Sequence, residues 1–230
     1  MEQVISTTDD GQQTTEKQPA VLRFLAHLLS YIFHPLFIPL YAAYFLVYIH
    51  PSYFAGYGNS YLSDFSRSRV MIQVVLNAVM YPLVAVLLCK GLGFIESIYM
   101  RTQKDRVLGY ITSMIFFFWT YYAFQQEGVP KILVSFMFGV FISSAAALIA
   151  NIYYKVSMHA IGMGGLVGLF LVIMQDNTML MTGPLFFALL IAGAVCTARL
   201  IVSDHTQKEI YAGLLIGLLC QVMGAVVNLS

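Results

Sequence analysis

Apolar runs of about twenty residues, separated by short polar turns, recur along the whole chain. A hydrocarbon core ~30 Å thick is crossed by ~20 helical residues, and inside it only helices and closed barrels satisfy their own backbone polar groups. The strict apolar–polar alternation of barrel strands is absent, so the runs read as transmembrane helices. They fall at 27–49, 70–88, 107–124, 132–153, 161–174, 180–200 and 209–228. The expected fold is therefore all-α, a polytopic transmembrane helical bundle of about six to seven spans. Residues 1–26 form a polar N-terminal tail and 27–230 the membrane domain. His34-Pro35 and Pro39 place a kink or break near the start of the first span.

With 59% hydrophobic and 10% charged residues, the chain has no stretch polar and long enough for a separate soluble domain. The formal net charge of +1, with no basic stripe, excludes a nucleic-acid partner and leaves the lipid bilayer as the surrounding medium. Cys89, Cys196 and Cys220 all lie inside apolar runs without ligand spacing and read as small buried hydrophobes, so neither a metal nor a cofactor is expected. The N-terminus lacks a basic region followed by an apolar one, so the first apolar run is expected to act as an uncleaved anchor.

Ionisable residues are rare in such a chain, and where they gather they mark water, a partner or a substrate. They gather in three turns, 96–106, 155–159 and 199–209, each separated from the next by two spans and therefore on one side of the membrane. In the last turn His205 and Glu209 stand four apart, on one face of a helix, with Ser203 or Asp204 as candidate N-cap. A carboxylate bonded to one imidazole nitrogen fixes the tautomer and leaves the other as base or nucleophile. Arg199, ending the preceding helix, supplies a guanidinium that matches phosphate oxygens. In the middle turn, Lys155 and Ser157 precede His159 at the start of the fifth span, where free amides and the helix dipole favour an anion. Arg101, Lys104 and Arg106 add three cations in the first turn. Two histidines, one carboxylate and several cations suit phosphoryl transfer without a metal, a reaction dominated by charge stabilisation.

The arrangement Arg199, His205, Glu209 resembles the third motif of the type-2 phosphatidic acid phosphatase family, and Ser157-Met158-His159 resembles its second. The connector ending at Arg106 stands where the first motif belongs, so the similarity covers roughly 96–213. Departures are specific. Tyr99 and Val107 stand at the lysine and proline of the first motif, Val156 and Met158 at the proline and glycine of the second. Ala198 replaces a serine, and Glu209 is one methylene longer than the usual aspartate. The resemblance implies a lipid phosphate phosphatase acting on a phosphomonoester or pyrophosphate of phosphatidate, phosphatidylglycerophosphate or polyprenyl type. His205 would be the nucleophile, Glu209 its orienting acid, His159 the acid for the leaving alcohol, and Arg199 and Arg106 the phosphate holders. A repurposed member that binds or transports a phosphorylated lipid is the alternative. The expected location is the cell (inner) membrane.

Other features read as packing. The run GMGGLVG at 162–168 follows no strand and lies in an apolar span, so it brings helices together instead of cradling a nucleotide; Gly213 and Gly217 read likewise. His27, His34 and His50 read as satisfied packing residues. Aromatics of the third span, FFFWTYYAF, face lipid or core, or line an acyl-chain groove. Most Lys and Arg lie on the side of the three turns, but they are largely the proposed site residues, so charge bias assigns no orientation.

Overall fold

A computed structural model describes residues 5–7, 13–15, 19–57, 63–98, 100, 102–176, 178–202 and 205–229. Short strands β1 (Ile5–Thr7) and β2 (Gln13–Thr15) pair as an antiparallel hairpin within the polar tail. Among the described residues, seven helical segments are long and apolar enough to cross a membrane: Ala20–Ile49, Asp64–Gly91, Gln103–Gln126, Lys131–Tyr153, Met158–Gln175, Thr178–Val202 and Gln207–Leu229. The chain is thus an all-α integral membrane protein with seven candidate spans, as the apolar runs require.

Every span begins earlier than its apolar run, two of them by seven residues. Helix α1 (Ala20–Ile32) starts seven residues before the expected boundary at 27, and α3 (Ser63–Val74) precedes the run at 70. Helical hydrogen bonding continues past the edge of an apolar run wherever nothing breaks it, whereas hydropathy marks only the apolar part. The expected break in the first span is present. Helix α1 ends at Ile32, a single 3-10 turn covers Pro35–Phe37, and α2 (Ile38–Tyr44) continues into a π-turn at Phe45–Ile49. Pro35 and Pro39 sit in the first turns of their segments, where a missing N–H costs nothing. A second π-turn, Val75–Met80, joins α3 to α4 (Tyr81–Gly91) just before Pro82, which has no N–H to continue the ladder.

The bundle centres on α6 (Lys131–Tyr153), α7 (Met158–Asp176) and α9 (Gln207–Leu229), with α5 (Gln103–Gln126) against α6, and α8 (Thr178–Val202) between α7 and α1. Lipid tails are as apolar as leucine, so burial of apolar surface drives little helix association in a bilayer; close backbone approach does more. A methyl on Gly164 would overlap the Leu214 carbonyl oxygen, and one on Gly217 the Ile161 carbonyl oxygen. Gly213 lies against Ser157 in the same way, its added Cβ 2.9 Å from the Ser157 carbonyl oxygen, and Gly224 against Ser135 at 2.6 Å. The glycine run is a packing device, as expected. Phe24, Trp119, Phe187, Tyr211 and Met223 project from the bundle surface, each more than half exposed, as a lipid-facing surface requires.

Because the α7–α9 contact is backbone against backbone, no side chain can yield there. Gly217→Ala is expected to destabilise the protein by about 3 kcal/mol. Gly193→Ala, where an added Cβ meets nothing within 4 Å, should stay within about 0.5 kcal/mol of wild type. Denaturant unfolding of the reconstituted protein distinguishes the two.

Candidate functional site

Parallel packing of α7 and α9 sets their N-termini side by side. The Ser157 amide donates to the Glu209 carbonyl at 3.4 Å, which ties the two helix starts together. The Ser157 side chain is fully buried, and its Oγ accepts the Ala160 amide at 3.4 Å as the cap of α7. Ser157, expected at the anion-binding helix start, is the cap that holds that start in place.

At the start of α9, Ser203 and Asp204, the expected cap residues, lie outside the described residues. The cap is Thr206. Its Oγ1 accepts the Glu209 amide at 3.4 Å, while Glu209 Oε2 accepts the Thr206 amide at 3.3 Å. This reciprocal pair is a capping box, satisfying two amides that the helix itself cannot. The same Glu209 Oε2 accepts from His205 Nδ1 at 2.7 Å. The extra methylene of glutamate is what reaches back from the third helical position. One carboxylate both caps α9 and orients the imidazole.

With its proton on Nδ1, His205 carries its lone pair on Nε2. Burial holds this imidazole below its ordinary value, and Lys155 and Arg199 push the same way; the Glu209 bond opposes them without prevailing. His205 is therefore neutral at pH 7, with Nε2 available as base or nucleophile. Arg199, in the last turn of α8, acts electrostatically on His205, on His159 and on His34. A guanidinium, a lysine and two helix N-termini around the neutral His205 imidazole form a setting for an anion.

His159 is anchored to the first span. Its Nε2 lies 3.0 Å from the Ser30 carbonyl on α1, and because a carbonyl only accepts, Nε2 carries the proton. Its ring meets His34 edge to face, with centroids 5.5 Å apart and planes at 84°. His34, read as a packing residue, does pack here, and the neighbour it packs on is His159, within the field of Arg199. Sequence reasoning also missed Ser30 and Thr206. The signal available for His34 was its position in the break of the first span.

The first turn forms a neighbouring cluster. Asp105, fully buried, accepts the Glu96 amide at 2.9 Å, and Thr102 caps α5 by accepting the Asp105 amide at 3.1 Å. Gln103 donates to the Asn151 carbonyl at 2.8 Å, and Arg106 Nε donates to Asn151 Oδ1 at 2.7 Å. Arg106 thus fastens α5 to the end of α6. Its turn reaches the histidine turn through Tyr110, which packs with Val156 and Ile161. Lys104 is exposed on α5, and Arg101 lies outside the described residues, as does Tyr99. A cavity of about 730 Å³ lies at the opposite end of the bundle, around the Arg69–Glu127 ion pair, away from His159 and His205.

The His205 environment makes a spectroscopic prediction. In ¹⁵N NMR of histidine-labelled protein in nanodiscs, His205 should titrate below 6.5, the ordinary imidazole value. Glu209→Gln removes the one influence that raises it, so its titration should move lower still. Compared with models of known protein families, with curated proteins and with solved structures, the chain matches none.

Proposed function

We propose that this chain is an integral membrane lipid phosphatase that releases phosphate from a phosphomonoester or pyrophosphate on a lipid. Phosphatidate, phosphatidylglycerophosphate and polyprenyl phosphates are the candidate substrates, and the cell (inner) membrane is the proposed location. The observation that carries the reading is the His205–Glu209 pair at 2.7 Å, with a free Nε2 beside Arg199 and Lys155. His159 takes the acidic proton of the bound phosphate group; His205 Nε2 attacks phosphorus, the bond to the lipid oxygen breaks, and the leaving oxygen takes that proton from His159. Water then attacks the phosphohistidine, passing a proton to His159 as the P–N bond breaks and phosphate leaves. Arg199, Lys155 and the two helix starts hold the non-bridging oxygens, whose charge is the main barrier in phosphoryl transfer. The lipid tail has apolar surface to follow: Tyr81, Met114, Phe116, Phe118, Trp119 and Phe141 line an open groove of about 520 Å³ on the aromatic face of α5.

A second reading is favoured by one specific observation. Arg106 and His159 both hold protein groups, Asn151 and the Ser30 carbonyl. A site with these two residues engaged structurally binds or transports a phosphorylated lipid without turning it over.

Phosphate release from a panel of lipid phosphates, in chelator, separates the readings. For an enzyme, His205→Ala reduces release to background, His159→Ala slows it by on the order of 100-fold, and Arg199→Ala weakens substrate use. For a binder, wild type releases nothing, and lipid binding depends on Arg199 while surviving His205→Ala.

A further inference from the structure

We infer that His34 belongs to the histidine site and acts as the positioning residue of His159, an inference that rests on the phosphatase reading above. Three features on the first helix break lead there. The Ser30 carbonyl, one turn before the break, takes the Nε2 proton of His159 at 3.0 Å. That bond fixes the tautomer and leaves Nδ1 as the nitrogen that faces a substrate. A ring held by a single hydrogen bond can still pivot about it. The His34 ring, edge to face at 5.5 Å and 84°, blocks that pivot.

His34 is itself held. Its Nδ1 accepts the Leu36 amide at 3.3 Å, capping the 3-10 turn, so Nε2 carries its proton. The break is pressed onto α7 beside His159 by a missing side chain. A Cβ on Gly162 would come within 3.2 Å of Ile38 Cγ1 and 3.7 Å of Pro35 Cα. Gly162 is three residues beyond His159, so the close approach that it permits is what seats His34 on the imidazole. The charged and titratable groups acting on His159 are Arg199, His34 and His205.

The chemical consequence concerns which nitrogen moves a proton. His159 Nδ1, unprotonated at rest, takes the acidic proton of the bound phosphate group, delivers it to the lipid oxygen as the P–O bond breaks, and recovers one from the water that attacks the phosphohistidine. Nε2–H stays on the Ser30 carbonyl throughout. The first helix thus completes the site; a shift of about 1 Å at His34 would be felt as misdirection of Nδ1.

His34→Asn tests this, because asparagine Oδ1 replaces Nδ1 as acceptor for the Leu36 amide and keeps the turn capped. With phosphatidate in mixed micelles, kcat should fall about 100-fold, KM should change by less than about 3-fold, and the basic limb of the pH profile should move. Wild-type kcat with an unmoved profile overturns the inference. Histidine ¹⁵N NMR in nanodiscs supplies a readout independent of turnover and, on wild type alone, of the variant's folding. Wild-type His159 should be protonated at Nε2 alone; a wild-type signal from the Nδ1–H tautomer overturns the inference. In folded His34→Asn the two tautomers should mix, and a single unchanged tautomer overturns it. If wild type releases no phosphate from any lipid phosphate, the phosphatase reading fails by itself, and the tautomer measurement still decides the role of His34.

Discussion

Backbone contact between α7 and α9 is the constraint on which the rest of this structure depends. Gly164 and Gly217 bring carbonyl oxygens of the facing helices to distances that no Cβ would permit. In a bilayer such contact replaces the apolar burial that drives packing in water. It also fixes the relative height of the two helices, because each glycine fits one position on its neighbour. The amide of Ser157 meets the carbonyl of Glu209 for that reason, and the starts of two helices open at one place.

That convergence concentrates positive potential before any charged side chain is added. Arg199 and Lys155 strengthen it, and the imidazoles of His34, His159 and His205 stand within the field of the guanidinium. A site so arranged keeps His205 neutral at pH 7. Glu209 shows how little polar material is available in such a place. One carboxylate closes the capping box on Thr206 and orients His205, so helix geometry and imidazole geometry cannot vary independently.

Much of the fold was legible because its signal is local. An apolar run of spanning length states its own structure, and His34-Pro35 states a break, since proline constrains its neighbours wherever it occurs. The sidedness of the three polar turns followed from counting spans. The pairing of His205 with Glu209 was legible too, from helical spacing alone. Thr206 was not, because the residues on either side of a helix start compete for the cap and only the backbone path decides among them. Arg106 reads as one more cation in a charged turn; its engagement with Asn151 depends on how α5 crosses the end of α6.

What the sequence by itself determined is the all-helical membrane-spanning architecture, the break in the first span, the glycine faces and the His205–Glu209 dyad. All of these depend on residues within a turn or on the length of a run. Only the tertiary structure decided that His34 and Ser30 meet His159, a contact across 129 positions between Ser30 and His159. No periodicity encodes such a meeting. It depends on the height at which α1 breaks relative to α7, and Gly162 sets that height by letting Pro35 and Ile38 approach the helix backbone.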